Sequence, residues 1–183
     1  MPRVFISIPV NNASDLEPVY RDLSRIRGVK AAPVYQLHIT LSFIGDIPDD
    51  MVDKVSEIAE RAAKLEKVGR ITLKGCGCFP NPKRPRIFYV GLESEIDLEA
   101  LADRIRRGLD SAGIPYDGKP FKPHITIGRI GGPCDLTMCV NKYRTTEFTT
   151  FICRDVMVMK SDLRPEGAVH TILHVCPLSR RRF

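Results

Sequence analysis

The chain has 183 residues, 43% apolar and 27% charged, with a formal net charge of +6. That balance excludes a disordered chain, and no apolar run approaches the roughly 18 residues that a membrane-spanning helix needs. The length suits a single domain over residues 1–183, and the positive charge points to an anionic partner without naming one.

The opening RVFISIPV alternates as a strand over residues 4–10, with no apolar signal core and no small-residue cleavage site, so a cytoplasmic protein is expected. Ser14 and Glu17 have capping-box spacing. Leu16, Val19, Tyr20, Leu23 and Ile26 then recur at helical intervals, with Gly28 as the stop. Residues 37–45, LHITLSFIG, return to period two. His38, Thr40 and Ser42 share one face, and Leu37, Ile39, Leu41 and Phe43 the other. Asp49 or Asp50 caps a second helix with apolar positions Val52, Val55, Ile58, Ala59, Ala62 and Leu65, and Gly69 ends it.

A strand is predicted over 71–78, then a loop punctuated by Pro80, Pro82 and Pro85, then a strand over 87–92. Ser94 and Asp97 cap a third helix carrying Leu98, Leu101, Ala102, Ile105 and Leu109. After Phe121-Lys122-Pro123 comes a second alternating segment, His124-Ile125-Thr126-Ile127, broken by Gly131-Gly132-Pro133. A short helix is expected over 135–143. Strands over 148–160 and 168–176 are joined by the turn-rich 162–167, consistent with a hairpin. The element order on either side of the middle is similar, which suggests an internal duplication.

The chain has only four histidines, and two of them head the matching His-x-Thr segments. An apolar face anchors such a strand and leaves the other face free for chemistry. Imidazole titrates near neutrality, so a facing pair can act as general base and general acid in one step. Opening a phosphodiester needs that combination. Thr40 and Thr126 point with their histidines and can donate to a phosphoryl oxygen, where a cation would stabilise developing charge. Ligating a metal is the rival use of two histidines, but no Asp or Glu recurs beside either motif, so no metal and no cofactor is expected.

The six cysteines read as reduced thiols. Cys76-Gly77-Cys78 lacks the spacing of a zinc knuckle and any second close Cys/His pair. Arg104, Arg106 and Arg107 on the third helix, and Arg180, Arg181 and Arg182 in the tail, read as solvated faces. Lys83, Arg84 and Arg86, in the proline-rich loop, join Lys74 and Lys122 as a candidate track for a polyanion.

LHITLSFIG and KPHITIGRI resemble the paired signatures of the two-histidine phosphoesterases, in the branch of RNA 2′,3′-cyclic phosphodiesterases historically called 2′-5′ RNA ligases. RVFISIPV resembles that family's opening strand and VMVMKSDLRPEGAVHTILHVCPL its closing hairpin, so the resemblance spans nearly the whole chain. It implies an α+β fold of two pseudo-symmetric lobes, each an antiparallel sheet backed by helices, with a central cleft. It also implies His38 and His124 as catalytic residues, Thr40 and Thr126 as phosphate ligands, and RNA ends bearing 2′,3′-cyclic phosphate as partners.

Arg129 lies where relatives often carry an arginine. Strict alternation puts it on the apolar side, and a bulge at Gly128 would re-aim it toward the phosphate. The chain departs from relatives after Gly167, where Ala168-Val169-His170 replaces a common aromatic residue. His170 and His174 are spaced to share a strand face, which leaves a second site as the alternative to the reading of each as a half-exposed structural histidine. A 2′-5′ ligase and a non-catalytic RNA-binding module remain as alternatives, and a monomer is expected.

Overall fold

The structure, a computed structural model, describes residues 1–180. Arg181 and Arg182 of the predicted tail cluster lie outside the described residues.

Period-two segments become strands β1 (Arg3–Pro9), β3 (His38–Asp46), β4 (Gly69–Phe79), β5 (Ile87–Ser94), β6 (Ile125–Ile130), β7 (Glu147–Cys153), β8 (Asp155–Arg164) and β9 (Gly167–Pro177), with a short β2 (Val29–Ala31) that the pattern did not predict. Helices are α1 (Glu17–Ser24), α2 (Val52–Lys64), α3 (Leu98–Ser111) and α4 (Thr137–Lys142). Among the described residues, main-chain pairing is antiparallel throughout one nine-stranded sheet, in the order β7-β4-β5-β6-β3-β1-β8-β9, with β2 paired to β6 off this path. The two His-x-Thr strands are therefore central neighbours. Each heads a four-stranded half, and this arrangement is the expected α+β pair of pseudo-symmetric lobes.

The halves are tied together by their helices. The connection from β1 to β3 sends α1 beside α4, which packs on β4 of the other half; Asp22 of α1 accepts hydrogen bonds from Tyr143 Oη (2.5 Å) and Lys142 Nζ (2.7 Å). Conversely α3, between β5 and β6, packs on β3, and α2 packs on β8 and β9. The helices bury Val19, Leu23, Val55, Ala59, Leu101, Ile105 and Leu109 on the sheet's apolar face. Gly108 makes the α2–α3 approach possible, since a Cβ there would lie 2.6 Å from the Ile58 side chain.

Several local expectations are corrected. The Ser14–Glu17 capping box does not form. The Ser14 amide and hydroxyl both donate to Asn12 Oδ1, residues 14–16 make a 3-10 turn, and Glu17 pairs with Arg21 instead. Gly69 opens β4 rather than closing α2, which stops at Lys64. The strand predicted over 148–160 is two strands, because the chain turns at Arg154 and carries β7 to one edge of the sheet and β8 to the other half. Both pieces are apolar and alternating, so periodicity alone cannot reveal the break. The Asp97 cap forms, accepting from the Ala100 amide at 3.0 Å. The closing hairpin forms with Pro165-Glu166 at its tip.

Candidate active site

Each His-x-Thr strand carries the same irregularity. Across β1 and β3, Ser7 pairs with Thr40 and Ile6 with Ser42, so Leu41 is an extra residue. Across β5 and β6, Tyr89 pairs with Thr126 and Phe88 with Gly128, so Ile127 is extra. Both bulges fall three residues after the histidine. A bulge inserts one residue into one strand and resets the alternation beyond it. Leu41 and Ser42 are consequently both buried, and so are Ile127 and Gly128. Phe43 and Arg129 are thereby returned to the histidine face, against strict alternation. The bulge expected at Gly128 is centred one residue earlier.

The two imidazoles are held identically. His38 Nδ1 lies 2.8 Å from the Gln36 carbonyl oxygen and His124 Nδ1 lies 2.6 Å from that of Lys122, in each case two residues earlier. A carbonyl only accepts, so each Nδ1 carries a proton and Nε2 is left to exchange one. Aromatic rings brace both. The Phe5 centroid is 5.0 Å from that of His38, while Phe79 and Tyr89 stand 5.0 and 5.6 Å from His124. Burial holds His38 below the ordinary imidazole range, and the positive charges that His170 and His124 can carry add to the effect.

His38, Thr40, Thr126 and Arg129 line one cavity of about 490 Å³, together with Lys30, Tyr35, Gln36, Arg164, Glu166 and His170. Its size suits one nucleotide-sized ligand. Arg129 also lines an adjoining groove of about 930 Å³ with Lys83, Arg84, Arg86 and Cys134, and among the described residues no Asp or Glu is part of its lining. Asn81 shapes the loop by accepting from the amides of Lys83 and Arg84, both at 3.0 Å. The predicted RNA track therefore separates. Lys83, Arg84 and Arg86 gather on the groove, and Lys122 lies over Phe79, with Nζ 5.8 Å from the ring centroid. Lys74 stands apart and is paired with Glu93 at 3.0 Å and Glu147 at 3.8 Å.

His170 is a cavity residue for which sequence reasoning favoured a structural role over a second site. It joins the cavity from β9, with its ring 5.4 Å from that of His38 in an edge-on arrangement. Gln36 brings it there: its side chain donates to the Ala168 carbonyl at 3.0 Å and accepts from the His170 amide at 2.9 Å. Its spacing from His174 along the closing strand was the sequence signal for it. His174 faces α2 instead, 3.6 Å from Glu60. Among the described residues no group of three or more His, Cys, Asp or Glu side chains could hold a metal ion, and no helix is long and apolar enough to cross a membrane.

A sequence model of the 2′-5′ RNA ligase superfamily matches residues 15–164. With its two central His-x-Thr strands, the chain belongs to that family, whose members are the two-histidine phosphoesterases, and it is an enzyme of the phosphodiesterase class. Among curated relatives, the RNA 2′,3′-cyclic phosphodiesterase of Archaeoglobus fulgidus is 33% identical over 178 residues, covering 94% of this chain and 98% of the relative. That of Thermus thermophilus is 35% identical over 153 residues, covering 80% and 74%. A solved Thermus thermophilus protein superposes with a TM-score of 0.80 at 29% identity, covering 96% of this chain and 97% of the other.

Proposed function

We propose that this protein hydrolyses 2′,3′-cyclic phosphate at RNA ends to a 2′-phosphomonoester, without a metal, using His38 and His124 as the acid–base pair. The observation that carries the reading is the matched tethering of the two imidazoles, each with Nδ1 on a backbone carbonyl and Nε2 left for proton exchange. His38, kept neutral by burial, suits the base. Its Nε2 takes a proton from water as the water oxygen bonds to phosphorus. The bond from phosphorus to the ribose 3′ oxygen breaks, and His124 supplies the proton to that oxygen. The 2′ oxygen stays on phosphorus. Thr40, Thr126 and Arg129 hold the phosphoryl oxygens as charge builds.

RNA, rather than a mononucleotide alone, is favoured by the groove of Lys83, Arg84 and Arg86 that continues past Arg129. Clustered cations on a groove suit successive phosphates. The enzyme would act as a monomer in the cytoplasm. The family's name supports a second reading on the same residues: a 5′-hydroxyl of another RNA replaces water, and the product is a 2′-5′ linkage.

The test is a short RNA ending in 2′,3′-cyclic phosphate, incubated with the protein in EDTA. Expected is a 2′-phosphate product from wild type, with His38→Ala and His124→Ala each slower by about 10²–10⁴-fold. Turnover that persists in both variants, or that stops with EDTA, overturns the reading.

A further inference from the structure

We propose that His170 is a third imidazole of the phosphate site, contacting the substrate phosphate that His38 faces. This rests on the reading of the cavity as a cyclic-phosphate site. Phe5 and His38 already flank the ring, at 4.9 and 5.4 Å between centroids and both edge-on. Among the described residues neither ring nitrogen of His170 has a hydrogen-bond partner. Yet the residue lines the cavity and is only half-buried. Its backbone is pinned, since the Gln36 side chain that binds the His170 amide belongs to the residue whose carbonyl accepts from His38 Nδ1. One residue thus sets the position of both rings. A polar edge held this firmly and left unsatisfied at a cavity wall is suited to a ligand's oxygen, because ordering it costs little on binding.

The surrounding charges favour an anion. Lys30 enters from β2, Arg129 from β6 and Arg164 from the hairpin, and among the described residues Glu166 at the tip is the one carboxylate on the cavity wall. Lys30 reaches the tip itself, where a Cβ on Gly167 would lie 3.8 Å from its Nζ. Burial lowers the proton affinity of His170, and a phosphate between the rings would raise it again. His170 therefore binds the anion most strongly when protonated, on the acid side of neutrality.

The experiment compares wild type, His170→Phe and His170→Gln on a 2′,3′-cyclic nucleotide across pH 5–8. Phenylalanine keeps the ring packing on Phe5 and His38 but cannot donate. Expected for His170→Phe is a KM about tenfold higher at pH 5.5, the loss of one hydrogen bond to a charged group, with a smaller change at pH 8 and partial recovery in His170→Gln. Equal KM and equal pH profiles for His170→Phe and wild type would overturn the proposal and leave His170 as packing. A parallel measurement needs no turnover. Imidazole proton resonances are followed by NMR as inorganic phosphate is added. Shifts of His38 and His170 together support the contact, while a site that shifts His38 alone, or neither, overturns it. Absence of turnover by wild type would count against the proposed function only, because the NMR arm still decides on His170.

Discussion

Ile39 of β3 pairs with Ile125 of β6 at the centre of the sheet, and both side chains are fully buried. Each follows its histidine by one residue, so this pair fixes the register in which the two His-x-Thr strands meet. The tethers at Gln36 and Lys122 then orient each ring locally.

Truncating the pair should cost stability and catalysis together. Ile125→Ala is expected to lose about 2–5 kcal/mol in urea unfolding and Ile125→Val about 0.5–1.5, the usual range for opening a cavity in a packed core. The Val variant should keep most of its kcat/KM. Wild-type stability in Ile125→Ala would show that the two strands do not pack there.

The low proton affinity of His38 has a sign that can be checked. Its pKa in the folded protein lies below the usual 6.5, as burial dictates, so the unfolded chain takes up the proton first. This contribution to stability is full above about pH 6.5 and is lost as the pH falls through that value toward the folded pKa. Burial lowers His170 in the same direction. Tm should therefore fall between pH 7 and pH 5, and less steeply in His38→Gln. A base must be neutral to act, so the acid limb of kcat/KM should be centred below pH 6.5. A limb centred above pH 7 would remove His38 from the base's role.

The groove past Arg129 predicts a dependence on substrate length. Arg84→Gln combined with Arg86→Gln should raise KM about tenfold for an RNA decamer ending in cyclic phosphate. The slope of log affinity against log salt should fall by about 1.4, as expected for two lost contacts to a single strand. A cyclic mononucleotide, which does not reach the groove, is the control. Equal losses on both substrates would mean that the arginines shape the cleft rather than hold the chain.

Gly77 lies beneath Tyr89, and a methyl group there has no room beside the ring. Tyr89 stacks on Phe79 at 4.4 Å and braces His124. Gly77→Ala should cost about 1–3 kcal/mol and lower kcat about tenfold by displacing the brace. Adding Tyr89→Ala should recover part of the stability, a coupling that a double-mutant cycle would measure.

Read in order, the residues already showed two histidines heading matched apolar-backed strands, three amphipathic helices and a closing hairpin. Those features follow from local periodicity: period two or 3.6 decides which residues can turn inward whatever the rest of the chain does. The motif was informative because each copy sets a histidine and a threonine against an anchoring apolar face within a few residues.

Tertiary structure alone decided which strands meet. The bulge at Leu41 had no signal in the residues and the one expected at Gly128 falls at Ile127; both reverse the alternation after each threonine, as registration against β1 and β5 shows. That reversal is why Arg129 reaches the cavity. The break at Arg154, the exchange of α1 and α3 between the halves, and the pairing of Lys74 with Glu93 depend likewise on partners far away in sequence. So does His170, which looks like an ordinary strand histidine until Gln36 latches β9 beside His38. Periodicity determined the faces of each strand, and long-range pairing determined which faces share a cleft, because a hydrogen-bonded register is a property of two segments and is written in neither one.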